Sequence, residues 1–108
     1  MSDKYNTQKK VRQQQTVDNT YGHVQPQAVD AEKTVLGALL IDRDAYAMVS
    51  EILTPESFYE PRNQMVYAAI RDLAIDEKPI DLITVTDRLA KNGTLAEVGG
   101  PAYVAETS

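Results

Sequence analysis

The 108-residue sequence has no cysteine, no tryptophan, a single histidine and a single phenylalanine. Without cysteine there is no disulfide, no thiolate metal site and no cysteine nucleophile, so stability has to come from packing, as in a reducing compartment. His23 has no cysteine or second histidine to complete a metal site and sits in a polar stretch, where it reads as a bystander. No window approaches the ~18 consecutive apolar residues of a membrane helix, and the N-terminus has no apolar signal core. The chain therefore reads as cytoplasmic with no membrane partner. No glycine precedes a lysine anywhere, so the phosphate-cradling loop Gly-x-x-x-x-Gly-Lys-Ser/Thr is missing and nucleotide hydrolysis by that device is excluded. No catalytic, cofactor-binding or metal-ligating residue is expected.

What is there divides unevenly. Residues 1–25 carry Lys4, Lys9, Lys10 and Arg12 against Asp3 and Asp18, are rich in glutamine and hold few apolar side chains. That composition cannot bury a core and predicts a disordered polar leader, more simply a solvated tail than a nucleic-acid arm. Residues 26–108 hold seven basic and fourteen acidic side chains, a balance that repels a phosphate backbone; no direct DNA binding is expected of this folded part.

From Pro26 onward the apolar spacing is helical. Val35, Leu36, Leu39 and Leu40 form one stripe behind Asp30 as a predicted N-cap, with Glu32 in the first turn where the helix dipole favours it. Asp42 or Asp44 can cap a second helix in which Ala45, Met48, Val49 and Ile52 match the i, i+3, i+4, i+7 template, ended by Pro55. Thr54 and Pro55 suit a short turn that turns Phe58 toward the core, and Pro61 starts a third helix with Val66, Ala69, Ile70 and Leu73 on one face. The run Leu82 to Thr86 is mostly β-branched and could be a strand, but Leu82, Val85, Thr86 and Leu89 share a helical face. Asp81 supplies a cap, Asp87 and Lys91 an i, i+4 pair, and Gly93 a left-handed terminator; the expectation is a helix. After Gly99-Gly100, Pro101 opens a last helical turn with no stop signal, so the chain is expected to be a piece of a longer one. The fold class is all-α, a compact orthogonal bundle of about five to six helices occupying 26–108.

Two groups of residues invite a chemical reading. Asp72 and Asp76 stand four apart and could form a carboxylate pair, although surface acids near a helix end are the simpler account. For the tyrosines of the folded part, core or rim is the default reading; Tyr59 beside Arg62 is the pairing to watch as a partner contact, because tyrosine and arginine are enriched at binding hot spots. Tyr103 is a further candidate.

Four blocks carry a resemblance. Pro26 with Asp30-Ala31-Glu32 and Val35-Leu36-Gly37-Ala38-Leu39-Leu40 is similar to the "P…EAE…VLGALL" opening of DnaB-type replicative helicases. Pro55-Glu56-Ser57-Phe58-Tyr59 resembles the family's "PEDFY", Pro79 to Val85 its "PIDLITV", and Gly99-Gly100 with Tyr103 its "GG..YL". Asp30 stands where the family commonly has glutamate and Ser57 where it commonly has aspartate. The resemblance implies the N-terminal head of such a helicase, cut before its helical hairpin. It implies a non-catalytic collar module that supports pairing and hexamer assembly with other helicase subunits and docks the C-terminal domain of primase at a bacterial replication fork. ATP and magnesium are implied for the motor of the full-length parent only. Two other readings compete: a free-standing helical regulator unrelated to replication, and a small acid-base enzyme built on Asp72 and Asp76.

Overall fold

The structure, a computed structural model, describes residues 26–42 and 44–108; His23 and the predicted leader lie outside the described residues. Six α-helices and one 3-10 turn account for the regular structure, with no strand among the described residues.

Proline has a fixed φ and no N–H to leave unpaired, which suits it to a helix's first turn. The central helix accordingly opens at Pro61 and runs as α3 (Pro61–Ile75). Its face of Val66, Ala69, Ile70 and Leu73 is buried throughout, as the spacing predicts. Against α3 pack α1 (Pro26–Ile41), α4 (Leu82–Lys91), α5 (Leu95–Val98) and the 3-10 turn Pro55–Ser57, while α6 (Gly100–Thr107) closes over α1, α4 and α5. Phe58 is buried behind the turn, where its ring lies 5.1 Å from that of Tyr67, which in turn lies 6.0 Å from Tyr46. The Tyr67 hydroxyl donates to the Leu53 carbonyl at 3.0 Å, so the polar atom of this fully buried side chain is satisfied.

The β-branched run is a helix. The Asp81 carboxylate accepts from the Thr84 N–H at 2.8 Å and the Thr84 hydroxyl accepts from the Asp81 N–H at 2.9 Å. This reciprocal cap satisfies two donors that a helix start otherwise leaves open, and Val85 and Leu89 are then fully buried. Gly93 has the left-handed φ expected of it, 76°. The anticipated Asp87–Lys91 pair is not among the ion pairs of the described residues; Arg88 bridges to Asp76 instead, at 2.9 Å.

Three expectations are corrected. Asp30 does not cap α1, which already begins at Pro26; Asp30 is an exposed residue within the helix. The second helix is one short turn, α2 (Ala45–Val49), and both Met48 and Ile52 are 76% exposed. The chain leaves the α-helical path after Ser50, so Leu53 packs against the core in place of Ile52. Between Gly93 and Gly99, where no helix is predicted, α5 forms and buries Val98.

Two backbone positions fix how the helices meet. Gly37 lies in the middle of α1 against the end of α6, where a Cβ would overlap the carbonyl oxygen of Thr107. Glu77 terminates α3 in the left-handed region at φ 58°, with its N–H on the Ala74 carbonyl and the Lys78 N–H on that of Leu73 at 2.9 Å. This is the hydrogen-bond pattern of a helix terminator that glycine fills most easily.

Gly37→Ala is predicted to destabilise the domain. Helix propensity favours alanine by about 1 kcal/mol, but overlap with a backbone atom belongs at the upper end of overpacking costs, about 3 kcal/mol. A net loss of about 2 kcal/mol in urea unfolding is the expected outcome; unchanged or greater stability would show that α1 and α6 do not approach this closely.

Candidate docking surface

The polar centre of the domain is built where α1 meets the start of α3. Glu32, one turn and a half into α1, accepts from the backbone N–H groups of Tyr59 at 2.6 Å and Glu60 at 3.2 Å, and from the Asn63 side-chain amide at 2.8 Å. Asn63 is fully buried, and its own oxygen accepts from the Tyr103 hydroxyl at 2.5 Å. One line of hydrogen bonds thus joins α1, α3 and α6. Charge-assisted bonds of this kind are about twice as strong as neutral ones, and a buried amide left without them is costly.

A second set of contacts lies over the first. The Arg62 guanidinium sits 4.4 Å from the centroid of the Tyr103 ring, and the Lys33 ammonium 5.2 Å from it. Arg62 also binds Glu60, the residue that caps α3, with Nε to Oε2 at 3.3 Å, and Lys33 reaches Glu106 at 3.2 Å. Arg62's hydrogen bond holds the Glu60 carboxyl below its usual range, and Glu60 in turn raises Arg62. Burial pushes the Tyr103 phenol above 10, opposed by the positive charge of Arg62, and burial also raises Tyr67.

The three residues expected at a partner contact have different surroundings. Tyr103 and Arg62 are brought together, but Tyr103 is only 4% exposed and its hydroxyl is used by Asn63. Its ring holds Arg62 in place more than it offers a surface of its own. Tyr59 is 54% exposed in the turn that enters α3. Beside that turn an apolar groove of about 260 Å³ runs between Ala28, Ala31 and Val35 of α1 and Leu53 and Phe58. Exposed tyrosine, arginine and a shallow apolar groove make a surface suited to another protein.

Asp72 and Asp76 do not form a carboxylate pair for acid-base work. Asp76 takes the Arg88 guanidinium, and Asp72 accepts from the Asn92 amide at 3.3 Å, so both tie α3 to α4. Among the described residues no group of three histidine, cysteine or acidic side chains could hold a metal, and no helix is long and apolar enough to cross a membrane. Sequence reasoning missed the roles of Glu32, read only as a dipole partner, and of Asn63. It also passed over Gly37, although a glycine inside a helical apolar run is itself a sign of close backbone approach.

The family model of the DnaB-like helicase N-terminal domain matches residues 24–108. The chain is 45% identical over 85 residues to the replicative DNA helicase DnaB of Rhodothermus marinus, an alignment covering 79% of this chain and 9% of that protein. Across five such bacterial relatives the chain spans between 9% and 20% of their length. Among solved structures it is similar to the N-terminal domain of DnaB helicase from Mycobacterium tuberculosis, with a TM-score of 0.71 and 42% identity, covering 73% of this chain and 57% of that one. The N-terminal domain of DnaB helicase from Helicobacter pylori, solved in a study of its interactions with primase, shares the fold at 24% identity. Its TM-score is 0.57, and the match covers 75% of this chain and 76% of that one.

The two buried phenols predict an alkaline limit to stability. A group whose folded pKa is raised contributes stability that is fully present below its unfolded value and is lost as pH rises through the folded value. Unfolding midpoints should therefore hold up to about pH 10 and fall beyond it, and Tyr103→Phe should fall less steeply from its own baseline. Equal slopes in parent and variant would show that Tyr103 is not the buried group.

Proposed function

Because the chain belongs to the DnaB-like helicase N-terminal domain family, we propose that it works as the collar module of a bacterial replicative DNA helicase. In this reading it supports assembly with other helicase subunits into dimers and a hexamer, and it docks the C-terminal domain of primase. ATP and magnesium belong to the motor of the full-length parent, in the cytoplasm at the replication fork. Family membership carries the reading and does not favour a free-standing regulator.

Three features of the domain support it. The folded part has twice as many acidic as basic side chains, which discourages a DNA strand from adhering to a collar it passes. The surface around Tyr59, Arg62 and the Phe58 groove is preorganised: Arg62 is held by Glu60 and the Tyr103 ring, so less side-chain entropy is lost when a partner binds. The Helicobacter pylori relative of the same fold was solved together with its interactions with primase.

The test is calorimetric titration of the primase C-terminal domain against this chain and against a longer version that includes the segment following it in the parent. Binding by at least one of the two is expected, weakened about tenfold or more by Tyr59→Ala or Arg62→Ala if these are hot-spot residues, with no uptake of single-stranded DNA at physiological salt. Absence of primase binding by both lengths would overturn the docking role.

A further inference from the structure

The end of α4 holds a pair of residues with chemistry of its own. Asn92 is the C-cap of the helix and Gly93 follows it, both exposed. The carboxamide carbon of an asparagine can be attacked by the backbone nitrogen of the next residue, because a five-membered ring results, and asparagine is accordingly a thermolabile residue. The neighbour sets the rate: glycine has no Cβ to shield that nitrogen and reaches backbone angles that other residues resist. Of the four asparagines only Asn92 precedes glycine; Asn6 and Asn19 precede threonine, and Asn63 precedes glutamine. Asn63 is also fully buried, with its amide nitrogen on Glu32 and its oxygen on Tyr103. A Cβ placed on Gly93 would meet nothing within 4 Å, so solvent reaches this turn.

The fold restrains the reaction without abolishing it. Asn92 has helical angles, φ −75° and ψ −7°. The Gly93 N–H donates to the Ala90 carbonyl at 3.0 Å and the Thr94 N–H to the Leu89 carbonyl at 2.9 Å, the two bonds that close a helix on a left-handed glycine. While they are intact, the attacking nitrogen is engaged and Asn92 cannot rotate its carboxamide carbon onto it. Cyclisation needs this last turn to open, and a helix end with exposed backbone bonds opens at far lower cost than the whole domain. The Asn92 side chain adds one restraint, its Nδ2 donating to Asp72 Oδ2 at 3.3 Å.

We infer that Asn92 is a site of spontaneous deamidation, and that the reaction weakens the tie between α3 and α4. The Gly93 nitrogen gives its proton to solvent and bonds to Cγ of Asn92. The Cγ–Nδ2 bond then breaks, and ammonia leaves with a proton taken from solvent, so that a succinimide remains. One water molecule opens the ring. Breaking the new bond between nitrogen and Cγ gives aspartate; breaking the bond to the main-chain carbonyl carbon gives isoaspartate. Nothing is oxidised or reduced. The aspartate product sets a carboxylate where an amide donor had met Asp72, turning an attraction into a like-charge contact. It also puts negative charge at a helix C-terminus, where the dipole disfavours it. Isoaspartate lengthens the backbone by a methylene inside the bonds that close α4. The inference does not rest on the primase reading.

The test is incubation of the full chain in mildly alkaline buffer below its melting temperature, followed by peptide mass mapping that separates aspartate from isoaspartate, with the same chain in urea as control. Asn92 should be converted ahead of Asn6, Asn19 and Asn63, several-fold more slowly in the folded chain than in urea, and faster as pH rises, since the attacking nitrogen is the deprotonated one. The consequence is read separately in variants that fix each charge state. Asn92→Asp should lower the melting temperature by about 4 °C, more than the neutral Asn92→Ser does. Adding Asp72→Asn to Asn92→Asp should recover most of the loss. No conversion of Asn92 in the folded chain, conversion led by another asparagine, equal rates in folded and unfolded chain, or an Asn92→Asp variant as stable as the parent would each overturn the inference. Because none of these readouts involves primase, such an outcome would leave the collar reading standing.

Discussion

The Glu32 carboxylate is the acceptor on which the arrangement of the first, third and sixth helices depends. The N-cap residue of a helix has a backbone N–H without an intrahelical partner, and the turn into α3 presents that of Glu60, together with that of Tyr59 before it, toward α1. Glu32 takes both and also the Asn63 amide, leaving the Asn63 oxygen for the Tyr103 hydroxyl. Because Asn63 is fully buried, the two bonds that its side-chain amide makes lie where an unmade one is expensive. The apolar faces supply most of the burial, but apolar contact is not directional. The carboxylate supplies the register in which those faces meet.

From that point the candidate docking surface follows. With Tyr103 held by Asn63, its ring becomes a platform for Arg62 and Lys33, and Arg62 is directed outward beside the turn that carries Tyr59. The approach of α6 to α1 at Gly37 sets Glu106 within reach of Lys33. The surface proposed for docking is therefore positioned by the same few residues that order the interior.

Local signals were the ones legible in the sequence. Prolines and acidic caps marked where α3 and α4 begin, and the 3.6-residue period identified the buried faces of Val66 to Leu73 and of Val85 and Leu89, because a few neighbouring residues decide each of these. Where the outcome was set at long range, reading failed. Met48 and Ile52 fit a helical template but are exposed, since the chain turns away from the α-helical path after Ser50 to put Leu53 on the core. Val98 is buried by a four-residue helix too short to show a period. Glu32 and Asn63 are 31 residues apart, and Asn63 and Tyr103 are 40 apart. No spacing rule links such pairs, so Tyr103 read as a surface candidate although it is an internal strut. The resemblance did quote both Glu32 and Tyr103 within its blocks, without indicating that they act together.

The most direct measurement of this account is the urea-unfolding free energy of Glu32→Ala beside Glu32→Gln. Alanine removes the acceptor for three donors, and with charge-assisted bonds contributing about 1.5–3 kcal/mol each and not additively, a loss on the order of 3 kcal/mol is expected. Glutamine keeps one acceptor oxygen and should lose clearly less. A Glu32→Ala variant within about 0.5 kcal/mol of the parent, the range of ordinary surface substitutions, would contradict the claim that this carboxylate sets how α1, α3 and α6 are joined.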